Sequence, residues 1–308
     1  MKFLKRIINL IFSILLIVIV VLLINGIINQ GVYVTSIDLY NDNIPEELMG
    51  YKIMQVTDVH SIRSKEQGNE IINKIKKENP NVIFITGDLI DAEHYSEENL
   101  KYKNEEVDIP EKLTIDFCEE LSKIAKVYFV YGNHELMLLD DPEENIFKKE
   151  LESFGITILN NKIEYIKLGE EEYRLVGIQD PATLYKDKKY AFIGESNKER
   201  AESILHDLFL DQRDVFTIVL SHRPEYFDLY KKYDIDIAFT GHAHGGIMRI
   251  PFVGGIYAHA QGWMPKYTAG IHKDTRLNMI VGRGIGNSTI DLRIFNPPEL
   301  VLTTLLKN

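Results

Sequence analysis

Seven side chains well suited to metal binding, Asp58, His60, Asp88, Asn133, His222, His242 and His244, fall in five short motifs of a 308-residue chain. The motifs are Asp58-Val59-His60, Gly87-Asp88-Leu89-Ile90-Asp91, Gly132-Asn133-His134-Glu135, Ser221-His222-Arg223 and Gly241-His242-Ala243-His244-Gly245-Gly246. Carboxylate, amide and imidazole donors in this mixture suit a pair of divalent cations, which needs one bridging carboxylate and further oxygen and nitrogen donors on each side. Asp58 and His60, two apart on an extended segment, would point to the same side and reach one cation. His242 and His244 share that spacing, although across a turn their rings could reach different cations. Taken singly, Asp-x-His or Ser-His-Arg carries little information. The argument rests on all five motifs in order, and on five of the nine histidines lying inside them. Of the others, His206 reads as structural and His259 as a substrate-side candidate.

Each motif directly follows a short apolar run, at 52–56, 82–86, 127–131, 216–220 and 235–240. Such runs read as buried strands, and further candidates lie at 157–159, 173–178, 279–281 and 300–305. Helical patterns cover 70–79, which stops before Pro80, together with 113–124 and 195–209. Strands alternating with helices define a layered α/β domain. Ligands of open α/β sheets gather at the carboxyl ends of strands, so the five motifs are expected to converge there. Glycines at 87, 132, 241, 245 and 246 suit tight turns beside such a site. The acidic stretch 93–110 has no clear period and reads as an inserted loop.

Composition narrows the function. The chain carries 35 basic and 46 acidic residues and one cysteine, Cys118. A single thiol cannot form an internal disulfide or supply a multi-thiolate zinc site. Residues 1–37 carry +3, residues 38–215 carry 22 basic against 39 acidic (−17), and residues 216–308 carry 10 against 7 (+3). An acidic body excludes nucleic acid as the expected partner, since phosphate neutralisation needs a basic face. At the N-terminus, residues 7–28 are almost wholly apolar. As a helix rising about 1.5 Å per residue they span roughly 33 Å, enough to cross a bilayer core. Lys2, Lys5 and Arg6 precede the run and the next basic residue is Lys52. An uncleaved single-pass anchor in the cell membrane is therefore expected, with its N-terminus cytoplasmic and the body outside. The expected division is anchor 1–30, juxtamembrane segment 31–47 and catalytic domain 48–308.

The motif series resembles the calcineurin-like metallophosphoesterase superfamily over roughly residues 48 to 306. Pro251-Phe252-Val253-Gly254-Gly255, Pro265-Lys266-Tyr267, Arg283-Gly284-Ile285-Gly286-Asn287-Ser288 and Phe295-Asn296-Pro297-Pro298-Glu299 resemble a membrane-associated bacterial branch. That branch includes UDP-2,3-diacylglucosamine diphosphatases and related cell-envelope phosphoesterases. The resemblance implies a four-layer α/β sandwich, two mixed sheets flanked by helices, behind one transmembrane helix. It implies two divalent metals, Mn²⁺ first, with Fe or Zn²⁺ as alternatives. Asp58, His60 and His244 would hold one, Asp88 would bridge, and Asn133, His222 and His242 would complete the other. A hydroxide bridging the metals would attack phosphorus, His134 would protonate the leaving group, and Asp91 would orient that imidazole. Candidate substrate contacts are Arg283, Arg223, Arg249 and Lys266. The expected substrate is a phosphoester, phosphodiester or diphosphate, as a small molecule, a lipid-linked compound or an envelope polymer. Alternatives are a broad phosphomonoesterase or nucleotide phosphodiesterase and, in another class, a non-catalytic metal-dependent envelope-binding protein.

Overall fold

A computed structural model describes residues 2–29, 31–91, 109–138, 145–168, 170–181, 195–210, 214–287 and 292–307. The chain opens on helix α1 (Lys2–Ile28) and strand β1 (Tyr33–Tyr40), followed by β2 (Lys52–Val56), α2 (Lys65–Glu78) and β3 (Val82–Thr86). Next come α3 (Pro110–Ser122), β4 (Lys126–Val130), α4 (Asn133–Leu138), α5 (Ile146–Ser153) and β5 (Thr157–Ile158). The second half contains β6 (Lys162–Leu168), β7 (Glu171–Ile178), α6 (Glu195–Leu208), β8 (Thr217–Ser221), α7 (Phe227–Tyr230) and β9 (Ile237–Thr240). Short strands β10 (Arg249–Ile250), β11 (Gly254–Gly255), β12 (Tyr257–Ala258) and β13 (Gly262–Trp263) precede β14 (Gly270–Lys273), β15 (Asn278–Val281) and β16 (Glu299–Leu306).

Two six-stranded mixed sheets result, in the orders β1-β16-β2-β3-β4-β5 and β14-β15-β9-β8-β7-β6. Alternation along the strands explains how they stack. In β3, Val82 and Phe84 join an apolar cluster containing Leu175, Ile218, Leu220 and Phe239 of the other sheet. Ile83 and Ile85 instead join Ile71 and Ile75 of α2 and Leu121 of α3. Successive side chains of a strand face opposite sides, so one strand feeds two layers. A third cluster joins Val219 and Ala238 to Ala201 and Leu205 of α6 and Phe227 of α7. Three apolar interfaces therefore separate four layers, helix, sheet, sheet and helix, as the sequence patterning and the resemblance imply.

The juxtamembrane segment expected at 31–47 holds instead the edge strand β1, paired in parallel with β16 from Tyr33 opposite Glu299 to Tyr40 opposite Leu306. The folded domain therefore includes residues before 48. Its strand signal is weak because only Leu39 within β1 is buried. Edge strands β6 and β14 also lack a clear apolar run in the sequence, since an edge needs little burial and tolerates charge. Most of the acidic stretch, 93–108, lies outside the described residues.

Candidate metal centre

The loops after β2, β3, β4, β8 and β9 meet where the two sheets' carboxyl ends face each other. Pairing continues past the strands: Asp58 N–H donates to Gly87 O at 3.0 Å and His60 N–H to Asp88 O at 3.1 Å. On the other sheet Gly241 N–H donates to His222 O at 3.0 Å. Asp58, His60, Asp88, His242 and His244 all have positive φ, between 45° and 62°. That left-handed conformation is costly for residues with a Cβ, and it clusters where function requires it. Convergence of Asp58 with His60 thus comes from a turn, not from the alternation of an extended segment. Glycine allows the close approach: a Cβ on Gly132 would lie 2.2 Å from Asp88 Oδ1, and one on Gly241 would lie 2.3 Å from Asp58 Oδ2.

The candidate donors form two groups sharing one carboxylate. Asp58, His60, Asp88 and His244 offer atoms within 4.8 Å of one another, as do Asp88, His222 and His242. Asp88 Oδ2 lies 3.1 Å from His222 Nε2, 3.9 Å from His60 Nε2 and 4.0 Å from His134 Nε2. His60 Nε2 and His244 Nε2 face each other at 3.1 Å, as do His222 Nε2 and His242 Nδ1. His242 and His244 therefore turn to different groups, the outcome their turn allowed. Asn133, at the start of α4, is buried, and its Oδ1 has no hydrogen-bond partner. A buried acceptor without a donor is costly and is relieved by a cation. Converging lone pairs and this orphaned oxygen fit a pair of divalent ions.

Electrostatics separates the members. Burial pushes the Asp58 carboxyl up to about 6, partly offset by His222. Burial acts the same way on Asp88, but His222, His134 and His60 outweigh it and hold Asp88 well below the usual carboxylate range. Burial drives His60 down to about 3 and puts His242 and His244 well below the usual imidazole range. His222 is pushed down by burial but lifted to about 10 by Asp88.

His134 differs from the other imidazoles in being partly open, with its side chain 22% exposed against 0% for His222 and 3% for His60. Its backbone N–H donates to Asp88 Oδ1 at 2.9 Å, which fixes the residue over the shared carboxylate. Asp91 Oδ1 lies 3.9 Å from His134 Nδ1, an ion-pair distance and not a hydrogen bond. Asp91 Oδ2 is also 3.9 Å from Arg63 Nη2.

The four basic candidates separate. Arg223 is buried, with Nε and Nη2 on Asp180 at 2.5 and 3.2 Å and Nη1 at 3.0 Å from His242 Nε2. Its guanidinium is committed to a buried pair and to the back of a candidate ligand, which corrects the expectation of a direct substrate contact. Arg283 is paired with Glu299 at 2.7 Å, and Arg249 donates to Gly245 O and Thr268 Oγ1 at 2.7 and 3.2 Å. Lys266 is exposed, over the Tyr267 ring. His259 is half-buried, and burial, with Arg223 and His134, pushes its imidazole down.

Glu135 was given no role by sequence reasoning although it stands inside a motif. It is fully buried, and its carboxylate accepts from the backbone N–H groups of Asp88, Leu89, Ile90 and Gly132 at 2.7 to 3.1 Å. One side chain thus ties the β3 loop to the β4 loop. The available signal was an acid directly after Asn-His in an apolar surround.

The model of the calcineurin-like phosphoesterase family matches residues 51–246. The chain belongs to that family, and it is a metallophosphoesterase, a hydrolase of phosphate esters. It is 26% identical over 267 residues to the metallophosphoesterase YkuE of Bacillus subtilis, covering 85% of this chain and 81% of that protein. It is 22% identical over 309 residues to the UDP-2,3-diacylglucosamine pyrophosphatase LpxG of Chlamydia trachomatis, covering 86% and 88%. A dimetal phosphatase from Danio rerio aligns in structure with a TM-score of 0.46 and 12% identity, over 77% of this chain and 88% of that one.

Proposed function

We infer that the chain cleaves a phosphodiester or diphosphate bond of a membrane-borne, lipid-linked substrate with two divalent metals. The observation that carries the dinuclear reading is Asp88, shared by two groups of buried donors. Asp58, His60 and His244 would hold one ion with Asp88, and Asn133, His222 and His242 would hold the other. Mn²⁺ is the proposed occupant, since nitrogen and oxygen donors without thiolate suit it, as they do Fe and Zn²⁺. When bound, the two cations supply the positive charge a phosphoryl group requires and lower the pKa of water toward about 7.

The chain's own groups position and protonate. His134, open to solvent above Asp88, delivers a proton to the departing oxygen, with Asp91 fixing the charge around its ring. Arg223 and Glu135 keep the loops in place. Cations in the pocket reverse the sign of an acidic body locally, so net charge is no bar to an anionic substrate.

Likeness to a UDP-2,3-diacylglucosamine pyrophosphatase supports a lipid-linked substrate. Helix α1 supports the membrane location: it is long and apolar enough to cross a bilayer, and none of the described side chains along its apolar stretch is buried. Lys2, Lys5 and Arg6, ahead of the apolar run, support a cytoplasmic N-terminus and an external domain. Purified full chain should contain two metal equivalents and hydrolyse bis-p-nitrophenyl phosphate with Mn²⁺, losing turnover on chelation. No metal-dependent turnover on any phosphoester would instead favour a metal-dependent envelope-binding protein. A panel of lipid-linked diphosphates, UDP-sugars and nucleotides tests the substrate, and preference for soluble nucleotides would overturn the lipid assignment.

A further inference from the structure

A small unit of two strand pairs beyond His244 exposes apolar side chains. Ile256 lies at its centre, donating its N–H to Met248 O and accepting from Met264 N, both at 2.8 Å. On one side β10 pairs with β11, Ile250 opposite Gly254, and the turn between them is Pro251-Phe252-Val253. On the other, β12 pairs with β13, Tyr257 opposite Trp263. Ile250, Phe252, Val253, Trp263 and Met264 are all exposed, Trp263 at 73% and Phe252 fully. This register brings Met264, Ile256 and Met248 into one row, two residues from the Ile250 end of the β10–β11 pair. Such a cluster on an otherwise charged protein marks an interaction surface.

The unit adjoins the last turn of α1. Asn25 and Asn29 donate through Nδ2 to Arg293 O at 2.9 and 2.6 Å, and Asn25 Oδ1 accepts from Phe295 N–H at 2.7 Å. Ile294, between them, accepts from Arg249 N–H at 2.9 Å. Phe295 lines one shallow cavity with Arg249, Phe252 and Val253. The exposed turn is thus tied through three residues to the end of the apolar span. Charge agrees with this placement. Residues 237–273 contain no Asp or Glu, in a chain with 46, and carry Arg249, Lys266 and Lys273.

We propose that Ile250, Phe252, Val253, Trp263 and Met264 enter the interfacial layer of the bilayer that α1 spans, forming a second membrane contact. The proposal rests on the anchored reading of α1. Tryptophan, here with Lys266 three residues further along the chain, suits the headgroup boundary, where an apolar body is buried and a polar tip stays wet. The contact holds the pocket close to the lipid surface. From Trp263 the ring of Tyr257 lies 5.5 Å away and that of His259 a further 5.9 Å, and Ile256 N–H donates to Gly246 O, two residues past His244, at 3.3 Å. A lipid-linked phosphate would then reach the metals without leaving the headgroup layer.

Trp263 is the chain's single tryptophan and reports on its own surroundings. Full-length chain is reconstituted in vesicles of phosphatidylcholine and phosphatidylglycerol whose acyl chains are brominated near the headgroup. Trp263 should lose most of its emission to the brominated lipid and be shielded from aqueous acrylamide. Phe252→Asp with Val253→Asp should restore the emission while leaving bis-p-nitrophenyl phosphate turnover in detergent unchanged, which also shows that the variant folds. Flotation after alkaline wash reads the anchor separately. A chain that does not float overturns the anchor and this contact together. A chain that floats with Trp263 open to acrylamide overturns the contact alone. Shielding from both quenchers assigns the surface to another protein copy and also overturns the proposal.

Discussion

Around Asp88 the pocket has two halves. On one side stand Asp58, His60 and His244, and on the other His222 and His242, with Asn133 assigned to that side. Both halves are buried and rich in imidazole, yet they differ in proton load. His60 and His244 are driven down by burial and are neutral near pH 7. Burial acts on His222 as well, but Asp88 at 3.1 Å overrides it and keeps that ring protonated up to about pH 10. Desolvation favours the neutral ring, while a carboxylate at hydrogen-bond distance favours the cation. The same residue type is therefore ready for a metal in one half and must shed a proton in the other.

The halves also differ in support. Glu135 accepts from four backbone N–H groups and ties together the loops carrying Asp88 and Asn133. On the second sheet the corresponding role falls to Arg223, gripped by Asp180 and placed behind His242. An acid holding backbone and a base holding an imidazole are two solutions to one problem, since ligands need their orientation fixed by outer contacts.

The largest expected effect comes from removing what the halves share. Asp88→Asn should abolish turnover and lower metal content from two equivalents to less than one. Loss of a single equivalent would show that Asp88 serves one half only. Next is His134→Gln, expected to cut turnover by about 10²–10⁴-fold, the usual worth of a positioned acid, with both metals retained by elemental analysis. Retained turnover would remove the acid role. The supports come third. Glu135→Gln and Arg223→Lys should each weaken metal binding by about 10–100-fold. Glu135→Gln should also cost about 1–3 kcal/mol of stability, because N–H donors lose their acceptor; a thermal melt of the metal-free chain reads it.

The smallest effect concerns protons. Metal must displace a proton from His222, so affinity in that half should fall as pH is lowered below about 10, by up to tenfold per unit. Above about pH 6, where Asp58 ionises, the other half should be insensitive. Calorimetric titration at pH 8 in buffers of different ionisation enthalpy should therefore find about one proton released for one of two metal equivalents. Equal release in both steps would erase the difference between the halves.

Much of the fold is legible along the chain. Strands at 52–56 and 82–86 have the bounds their apolar runs indicate, because a strand buried on both faces leaves an unbroken apolar signature. β1 is hidden because its pairing partner, β16, lies more than 250 residues away and its own residues are mostly uncovered. The candidate donors were legible as types. Glu135 and Arg223 were not legible as supports, since a buried acid accepting backbone N–H groups looks in sequence like any glutamate, and Arg223 looks like a phosphate ligand until Asp180 is found beside it.

Sequence alone determined which donors are present, that no more than one thiolate could join them, and that each follows a strand, because residue chemistry and strand periodicity are local. Tertiary structure decided that Asp88 lies between two groups, that His242 and His244 part company, and that His134 alone of the site imidazoles described is substantially open. A cation's field and a hydrogen bond act over a few ångströms. Only the stacking of two sheets, with ligand loops bent into left-handed conformations, brings residues up to 186 positions apart within that range.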